Sequence, residues 1–137
     1  AKRWSRLSEY AVQNFPNMGQ SFADVHAALS HAMAGNDEYL QKYIDGQNGF
    51  AGDIIPCIAK AWRAIAKGEW LIAAQELAPN IDDFERFGGS RAQRDLLEFT
   101  YVNVLLRAGD NKKAKSVLLK RRPNFSQSAP INLLGKL

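Results

Sequence analysis

The turn that decides the fold lies in residues 64–73, AIAKGEWLIA, because two other stretches repeat its pattern. HAMAGNDEYL spans residues 31–40 and LLRAGDNKKA spans residues 105–114. Each stretch places a glycine after a helical apolar pattern and a polar residue after the glycine. A glycine just past a helix end adopts the left-handed conformation at no side-chain cost, and a polar residue beside it can cap the next helix. The three stretches therefore predict three tight turns, each joining two helices.

The spacing of the three glycines indicates a helical repeat. Gly35 and Gly68 are 33 residues apart, close to the period of about 34 residues in tetratricopeptide repeats. Gly68 and Gly109 are 41 residues apart, and an insertion, APNIDDFERFGGS at residues 78–90, accounts for the longer spacing. We expect an all-α fold: a tetratricopeptide-like α–α superhelix of about three helix pairs, preceded by an N-terminal helix that contains Trp4 and Leu7.

Apolar side chains recur at helical spacing on both sides of these turns. One stripe consists of Phe22, Val25, Leu29, Ala32 and Met33. Residues 96–106, LLEFTYVNVLL, are apolar almost all round, which predicts a helix packed on several sides. We expect residues 1–123 to form a helical-repeat domain that is part of a longer stack, and residues 124–137 to form a C-terminal tail. The three tryptophans are expected to lie in the core or to line a groove.

Composition narrows the classes of protein. Hydrophobic residues make up 46% and charged residues 23% of the chain, which is typical of globular domains and excludes wholesale disorder. The single cysteine, Cys57, cannot form an internal disulfide, and this suits a reducing, cytoplasmic location. No apolar run approaches the roughly 20 residues that span a bilayer. The first ten residues also lack the apolar core of a signal peptide.

Positive charge is concentrated at the C-terminal end. The whole chain has a net charge of +4, whereas residues 111–137 contain seven Lys or Arg and no acid. Most such runs are solvated helix faces, and the alternatives are contact with RNA, an acidic protein or an anionic membrane surface. We favour the solvated face over a nucleic-acid contact, whose affinity would fall steeply with salt. The basic patch comprises Lys112, Lys113, Lys115, Lys120, Arg121 and Arg122.

The stretch FGGSRAQRD, residues 87–95, has a structural and a functional interpretation. Ser90 and Gln93 have the spacing of a capping box, in which each residue binds the backbone N–H of the other. A helix N-terminus also attracts anions, and Arg91 or Arg94 would close over a phosphate or carboxylate. The stretch is neither a P-loop nor a GxGxxG motif after a strand. The structural interpretation is therefore favoured.

The stretch SFADVHAALSH, residues 21–31, contains both histidines of the chain. Ser21 and Asp24 form a second cap signature. His26 shares the side of the apolar stripe, so it is expected to point inward as a core histidine with one hydrogen bond. The two histidines do not share a helical face, and no nearby residue completes a zinc set. We expect no metal, no cofactor and no nucleophile of the GxSxG type.

Several stretches together resemble the C-terminal part of the tetratricopeptide repeat protein 38 family. The Asp-x-His-Ala string at residues 24–27 and the Gly-Gly-Ser-x-Ala-Gln-Arg-Asp string at residues 88–95 are similar to family signatures in order and spacing. The resemblance covers roughly residues 4–123 and includes WLIAAQELAP and LLRAGDNKKAKSVLLKRRP. Arg91 stands where that family typically has histidine. The resemblance implies an all-helical repeat protein longer than this chain, with no enzymatic activity attached to the family as a whole.

The signatures also single out a candidate polar network or ligand site, which consists of Asp24, His26, Gln93, Arg94 and Asp95. These residues either form a buried network that locks two repeats together or bind a small molecule. We favour the network. A small-molecule, anion-binding or hydrolytic site around His26 and Arg94 stays open as an alternative.

A stack of helix pairs usually binds a peptide or a partner protein on its concave face. We therefore expect a helical-repeat protein-interaction module with no assigned catalytic residue. Homodimerisation through an open apolar end is a further expectation. Contact with nucleic acid through the basic patch is the remaining alternative.

Overall fold

The structure, a computed structural model, describes residues 2–46, 49 and 51–121. Within this part of the chain there are seven α-helices, two short 3-10 helices and no strand, which confirms the all-α class. The α-helices are α1 (Lys2–Asn14), α2 (Ser21–Ala34), α3 (Asp37–Asp45), α4 (Ile55–Lys67), α5 (Trp70–Leu77), α6 (Arg91–Arg107) and α7 (Asn111–Arg121). The predicted tail, residues 124–137, lies outside the described residues, as does Arg122.

The three predicted glycine turns are present, and they share one hydrogen-bond pattern. Gly35, Gly68 and Gly109 have φ values of 72°, 74° and 84°, in the left-handed region. The residue after each glycine donates its backbone N–H to the carbonyl five residues earlier. These bonds run from Asn36 to His31 at 2.9 Å, from Glu69 to Ala64 at 2.8 Å and from Asp110 to Leu105 at 2.9 Å. This pattern satisfies carbonyls that would otherwise be unpaired at a helix end.

The polar residue after the glycine caps the next helix in only one of the three turns. Oδ1 of Asp110 accepts the backbone N–H of Lys113 at 3.0 Å. The side chains of Asn36 and Glu69 make no cap bond. Asn36 instead donates from Nδ2 to the hydroxyl of Ser8 at 3.2 Å. The expected cap is replaced there by a tie to α1.

Each helix packs mainly against helices that are adjacent or next but one in the sequence. The main contacts pair α1 with α2, α2 with α3 and α4, α3 with α4, α4 with α5, α5 with α6, and α6 with α7. Helices α2 and α4 are in contact, and Ala28 on α2 and Ala59 and Ala61 on α4 are fully buried. The indole N–H of Trp62 donates to the carbonyl of Val25 at 3.2 Å, which joins the same two helices.

Helix α6 is packed on one side and open on the other. Leu97, Tyr101, Val104 and Leu105 are buried. On the opposite side, however, Phe99 is 40% exposed. The expectation of a helix packed on several sides is therefore wrong for this face, because α6 has its main contacts with α5 and α7 and lacks a comparable contact with α4.

The insertion at residues 78–90 is folded against the helices. It includes two 3-10 turns, Ala78–Asn80 and Phe84–Phe87. The guanidinium of Arg121 donates to the carbonyl of Ile81 and lies 3.5 Å from the carboxylate of Asp82. Arg86 pairs with Asp53 at 2.8 Å. The insertion is thus tied to the last described helix and to the turn before α4. None of the described helices combines the length and the apolar character that a membrane span requires.

Candidate functional site

Helix α6 begins with the capping box expected in FGGSRAQRD. Ser90 is the N-cap, and its hydroxyl accepts the backbone N–H of Gln93 at 3.4 Å. Oε1 of Gln93 accepts the backbone N–H of Ser90 at 2.6 Å. Gly89 has φ +80°, and a Cβ there would collide with Oε1 of Gln93. The left-handed backbone favours glycine at this position, and the returning glutamine side chain would have to shift to admit a Cβ.

Ser21 is the first residue of α2 and not its N-cap, so the second predicted cap signature is corrected. The N-cap is Gln20, which makes no side-chain cap bond. Oδ2 of Asp24 instead accepts the backbone N–H of Gly19 at 2.9 Å. Asp24 is 3% exposed. Burial raises the pKa of its carboxyl, and the bond from Gly19 partly offsets this. Its observed contact is with the loop before α2.

The inward-pointing histidine is His31, whereas His26 is exposed, contrary to the expectation. Nδ1 of His26 donates to the carbonyl of Phe22 at 2.7 Å. Phe22 is itself 43% exposed. Helix α2 turns Val25, Ala28 and His31 into the protein, which leaves the line through Phe22 and His26 outside. The buried face of α2 is thus rotated by about one residue from the face that the sequence predicts.

The five residues of the candidate polar site are distributed over different places. His26 and Gln93 line a cavity of about 380 Å³ beside α1. Arg94 and Asp95 line another, of about 400 Å³, on the side of α7. Asp24 lines neither of these two cavities. A hydrolytic site around His26 and Arg94 requires both side chains at one cavity, and this geometry does not favour it.

The cavity beside Arg94 contains charges of both signs. Its cations are Arg91, Arg94, Lys120 and Arg121, and its acids are Glu85, Asp95 and Glu98. Nε of Arg121 lies 3.9 Å from the carboxylate of Glu98. Because the acids already accompany the cations, a free anion gains little there. The alternative anion site receives no support from this arrangement.

The basic patch divides into an exposed and an engaged part. Lys112, Lys113 and Lys115 are exposed on α7. Nζ of Lys120 is 4.0 Å from the carboxylate of Asp82. The Arg121 side chain is only 23% exposed because it binds the insertion. Three lysines on one helix face match the expected solvated face, and Arg121 has a structural contact.

All three tryptophans line one open groove, as the sequence predicts for core or groove residues. The larger part of this groove, about 770 Å³, contains Trp4, Trp62 and Trp70. The smaller part, about 380 Å³, shares Trp4 and Leu29 with it. We define the two parts together as the aromatic groove. Its further apolar residues are Leu7, Tyr10, Phe15, Phe22, Met33, Ile65, Leu96 and Phe99.

Helices that are far apart in the sequence contribute to the aromatic groove. Trp4 comes from α1, Trp62 from α4 and Phe99 from α6. Tyr10 is 56% exposed. The guanidinium carbon of Arg107 lies 4.8 Å from the centre of the Trp70 ring, a cation–π arrangement at one end of the groove. Sequence periodicity alone does not reveal that α6 stands apart from α4, and this separation opens the groove.

A third feature, a cavity of about 470 Å³ beside His31, lies where α1, α2 and α3 meet. Sequence reasoning placed no site there. The sequence feature that could have indicated this cavity is the pair Tyr39 and Tyr43. These residues lie four apart on α3, the helix that follows His31 across the Gly35 turn. In the described ranges, no three His, Cys, Asp or Glu side chains come together as ligands for a metal ion.

Comparison with known proteins gives no match: no family model, no curated protein and no solved structure is similar to this chain.

Proposed function

We propose that the chain is a tetratricopeptide-like helical-repeat module and that its aromatic groove binds an amphipathic helix of a partner protein. The observation that carries the proposal is the convergence of all three tryptophans on one open, apolar groove. Soluble proteins rarely expose large contiguous apolar patches unless the patch serves an interaction. Trp and Tyr are also the residues most enriched among those that dominate binding energy.

The repeat architecture is supported by the three turns of equal geometry. Gly35, Gly68 and Gly109 end helices with the same conformation and the same pattern of bonds. The main contacts between neighbouring helices are those expected of helix pairs stacked in sequence order.

A helix is the element that fits between the helical walls of the groove. On α1, Trp4, Leu7 and Ala11 lie three and four residues apart and line the groove. On α6, Leu96 and Phe99 do the same. Apolar side chains at this spacing pack into the ridges of another helix. Helix-in-groove binding relies on such anchors at steps of three and four residues.

Charged side chains that line the groove can orient the partner helix. Asp95 and Arg107, both on α6, line the groove. They are separated by about 18 Å of helix, a little over three turns. An acidic residue of the partner helix near Arg107 would complement the guanidinium. Such pairs favour one orientation more than they increase affinity.

The proposal can be tested by selecting binding peptides from a random library that is displayed on phage. The wild-type chain is the bait, and the variant Phe99→Asp is the counter-bait. We expect selected peptides to have apolar residues at helical spacing and to lose about tenfold or more in affinity for Phe99→Asp, because one apolar anchor is replaced by a charge. Leu71→Asp is the matched control, since Leu71 is 65% exposed and does not line the groove.

Two results would contradict this proposal. One is selected peptides that bind wild type and Phe99→Asp equally. The other is a groove filled by a second copy of the chain: sedimentation would then show a dimer that Phe99→Asp dissociates, and no peptide would compete for the groove. Far-UV circular dichroism of Phe99→Asp verifies that the fold survives.

A further inference from the structure

The cavity where α1, α2 and α3 meet has one polar wall and one apolar wall. We call it the junction cavity; its volume is about 470 Å³. The polar wall is formed by His31, Tyr39, Lys42 and Tyr43. Of the residues that line the aromatic groove, the junction cavity shares Phe15. Its volume lies in the range of roughly 300–1,000 Å³ that is typical of small-molecule sites.

The hydrogen bonds around His31 indicate which ring nitrogen carries the proton. Nδ1 of His31 lies 2.8 Å from the hydroxyl of Ser8. The same hydroxyl accepts a bond from Nδ2 of Asn36 at 3.2 Å. Ser8 is 3% exposed, so its own proton needs an acceptor within the protein. Donation to Nδ1 provides that acceptor, and the proton of a neutral imidazole then resides on Nε2.

The Nε2–H group is the polar atom of His31 that remains for the cavity. The residue is 1% exposed. Burial lowers the pKa of His31, and the positive charge of Lys42 lowers it further, so the ring is neutral near pH 7. Within the described part of the chain, Nε2 has no hydrogen-bond partner. Such a donor needs an acceptor, which water or a ligand in the cavity can supply.

Two further donors belong to the same wall. Nζ of Lys42 lies 4.2 Å from the centre of the Tyr39 ring. The Tyr39 ring in turn stacks on His31 with the ring centres 5.5 Å apart. Burial raises the pKa of Tyr43 to about 12, and the nearby Asp24 contributes. Tyr43 therefore keeps its proton at neutral pH, and the wall offers an ammonium, an imidazole N–H and a phenol O–H.

The rest of the lining is mainly apolar. It comes from the end of α1 and the loop that follows, and consists of Val12, Phe15, Pro16, Met18 and the polar Asn17. A ligand that satisfies both walls has an apolar body and a head with a negative charge. Among the described residues that line the cavity, the ammonium of Lys42 is the one positive charge available to the head of the ligand. A single positive charge matches a single negative charge better than the double charge of a phosphate.

We propose that the junction cavity binds a small monocarboxylic acid, with the carboxylate at Lys42 and His31 and the apolar body against Val12, Phe15 and Met18. This site adjoins the partner-helix site in the aromatic groove, with which it shares Phe15. The geometry that supports it is the cavity together with the unpartnered donor of a buried histidine.

Binding of benzoate tests the site, with benzamide as the uncharged molecule of the same shape. We expect benzoate to shift the NMR signals of the His31 ring and of Tyr39 in a saturable way. Benzamide should bind at least about tenfold more weakly, because hydrogen bonds to a charged group are stronger. Lys42→Met should weaken benzoate binding by a similar factor. Methionine keeps an apolar stem over Tyr39, so the fold should survive. Lys112→Met, on the exposed face of α7, is the matched control.

Several outcomes would overturn the proposal. Equal binding of benzoate and benzamide would show that the carboxylate is not recognised. Benzoate binding that survives Lys42→Met would place it elsewhere. Inorganic phosphate that shifts the same signals as strongly as benzoate would show that charge alone is bound and that the apolar wall has no role. Absence of any saturable shift with benzoate would show that the donors of the polar wall are satisfied by water.

Discussion

His31 couples folding to pH because it is a neutral imidazole in a buried place. Its pKa is lowered from 6.5 by burial and by Lys42. As the pH falls through 6.5, the unfolded chain takes up a proton that the folded chain does not yet bind. The contribution of His31 to stability is therefore complete above the unfolded pKa and is lost as the pH falls towards the folded pKa.

We expect the free energy of unfolding, measured with urea, to decrease between about pH 7 and about pH 5 with a His31 contribution no steeper than about 1.4 kcal/mol per pH unit. His31→Gln should remove this part of the slope. His26→Gln is the control and should retain it, since His26 is exposed. An identical slope in both variants would show that groups other than His31 are responsible. Asp24 is not one of these groups, because burial raises the pKa of its carboxyl and so favours the folded state as the pH falls.

At the same scale, the two histidines show what a sequence can and cannot predict. The helix around them and the burial of Val25 follow from periodicity. The choice between His26 and His31 does not, because it depends on where α1 and α3 pack around α2. Ser8 and Tyr39, the partners of His31, come from those two helices. Such contacts are tertiary, and no local pattern specifies them.

At the scale of elements, all three glycine turns have the same backbone bonds, but only one also has a side-chain cap. Asp110 caps α7 through its side chain, whereas Glu69 makes no such bond at α5. We expect Asp110→Ala to lower the free energy of unfolding by about 1 kcal/mol. Glu69→Ala should change it by less than about 0.5 kcal/mol. Chemical denaturation of the two variants in parallel measures the difference, and equal losses would contradict the assignment of the cap.

The elements themselves are well predicted wherever local chemistry decides them. The turns at Gly35, Gly68 and Gly109 and the capping box at Ser90 need only neighbouring residues. Prediction is wrong at Ser21, where the carboxylate of Asp24 binds the N–H of Gly19. It is also wrong for the open face of α6. Apolar composition indicates what a helix can bury but not whether a neighbour is present to cover it.

At the scale of the whole molecule, the number of neighbours differs from helix to helix. Helix α7 packs mainly on α6, and α1 mainly on α2, while α4 contacts α2, α3 and α5. Local opening is easiest where few packed neighbours must be lost. We therefore expect native-state hydrogen exchange to be slowest in α4, around Ile58, and faster in α7, around Leu118, although both side chains are buried. Equal protection at these two positions would indicate a single cooperative unit.

The candidate groove could be predicted from the sequence only in its parts. Trp4, Trp62 and Trp70 are recognisable as apolar anchors. Their convergence requires the packing of α1, α4 and α5, and the wall that α6 adds follows the insertion at residues 78–90, which contacts Arg121. These are long-range interactions, and periodicity contains no information about them.

The equal turns also have a consequence for how such a chain can vary in length. Within each pair, two or three residues connect the helices, and a left-handed glycine fixes the path. Between pairs, the chain from α3 to α4 and from α5 to α6 is longer. An added or deleted residue inside a pair would break the bond pattern around the glycine, whereas a connection between pairs can absorb it. Insertions and deletions among homologous chains should therefore accumulate at residues 46–54 and 78–90 and spare the glycine turns.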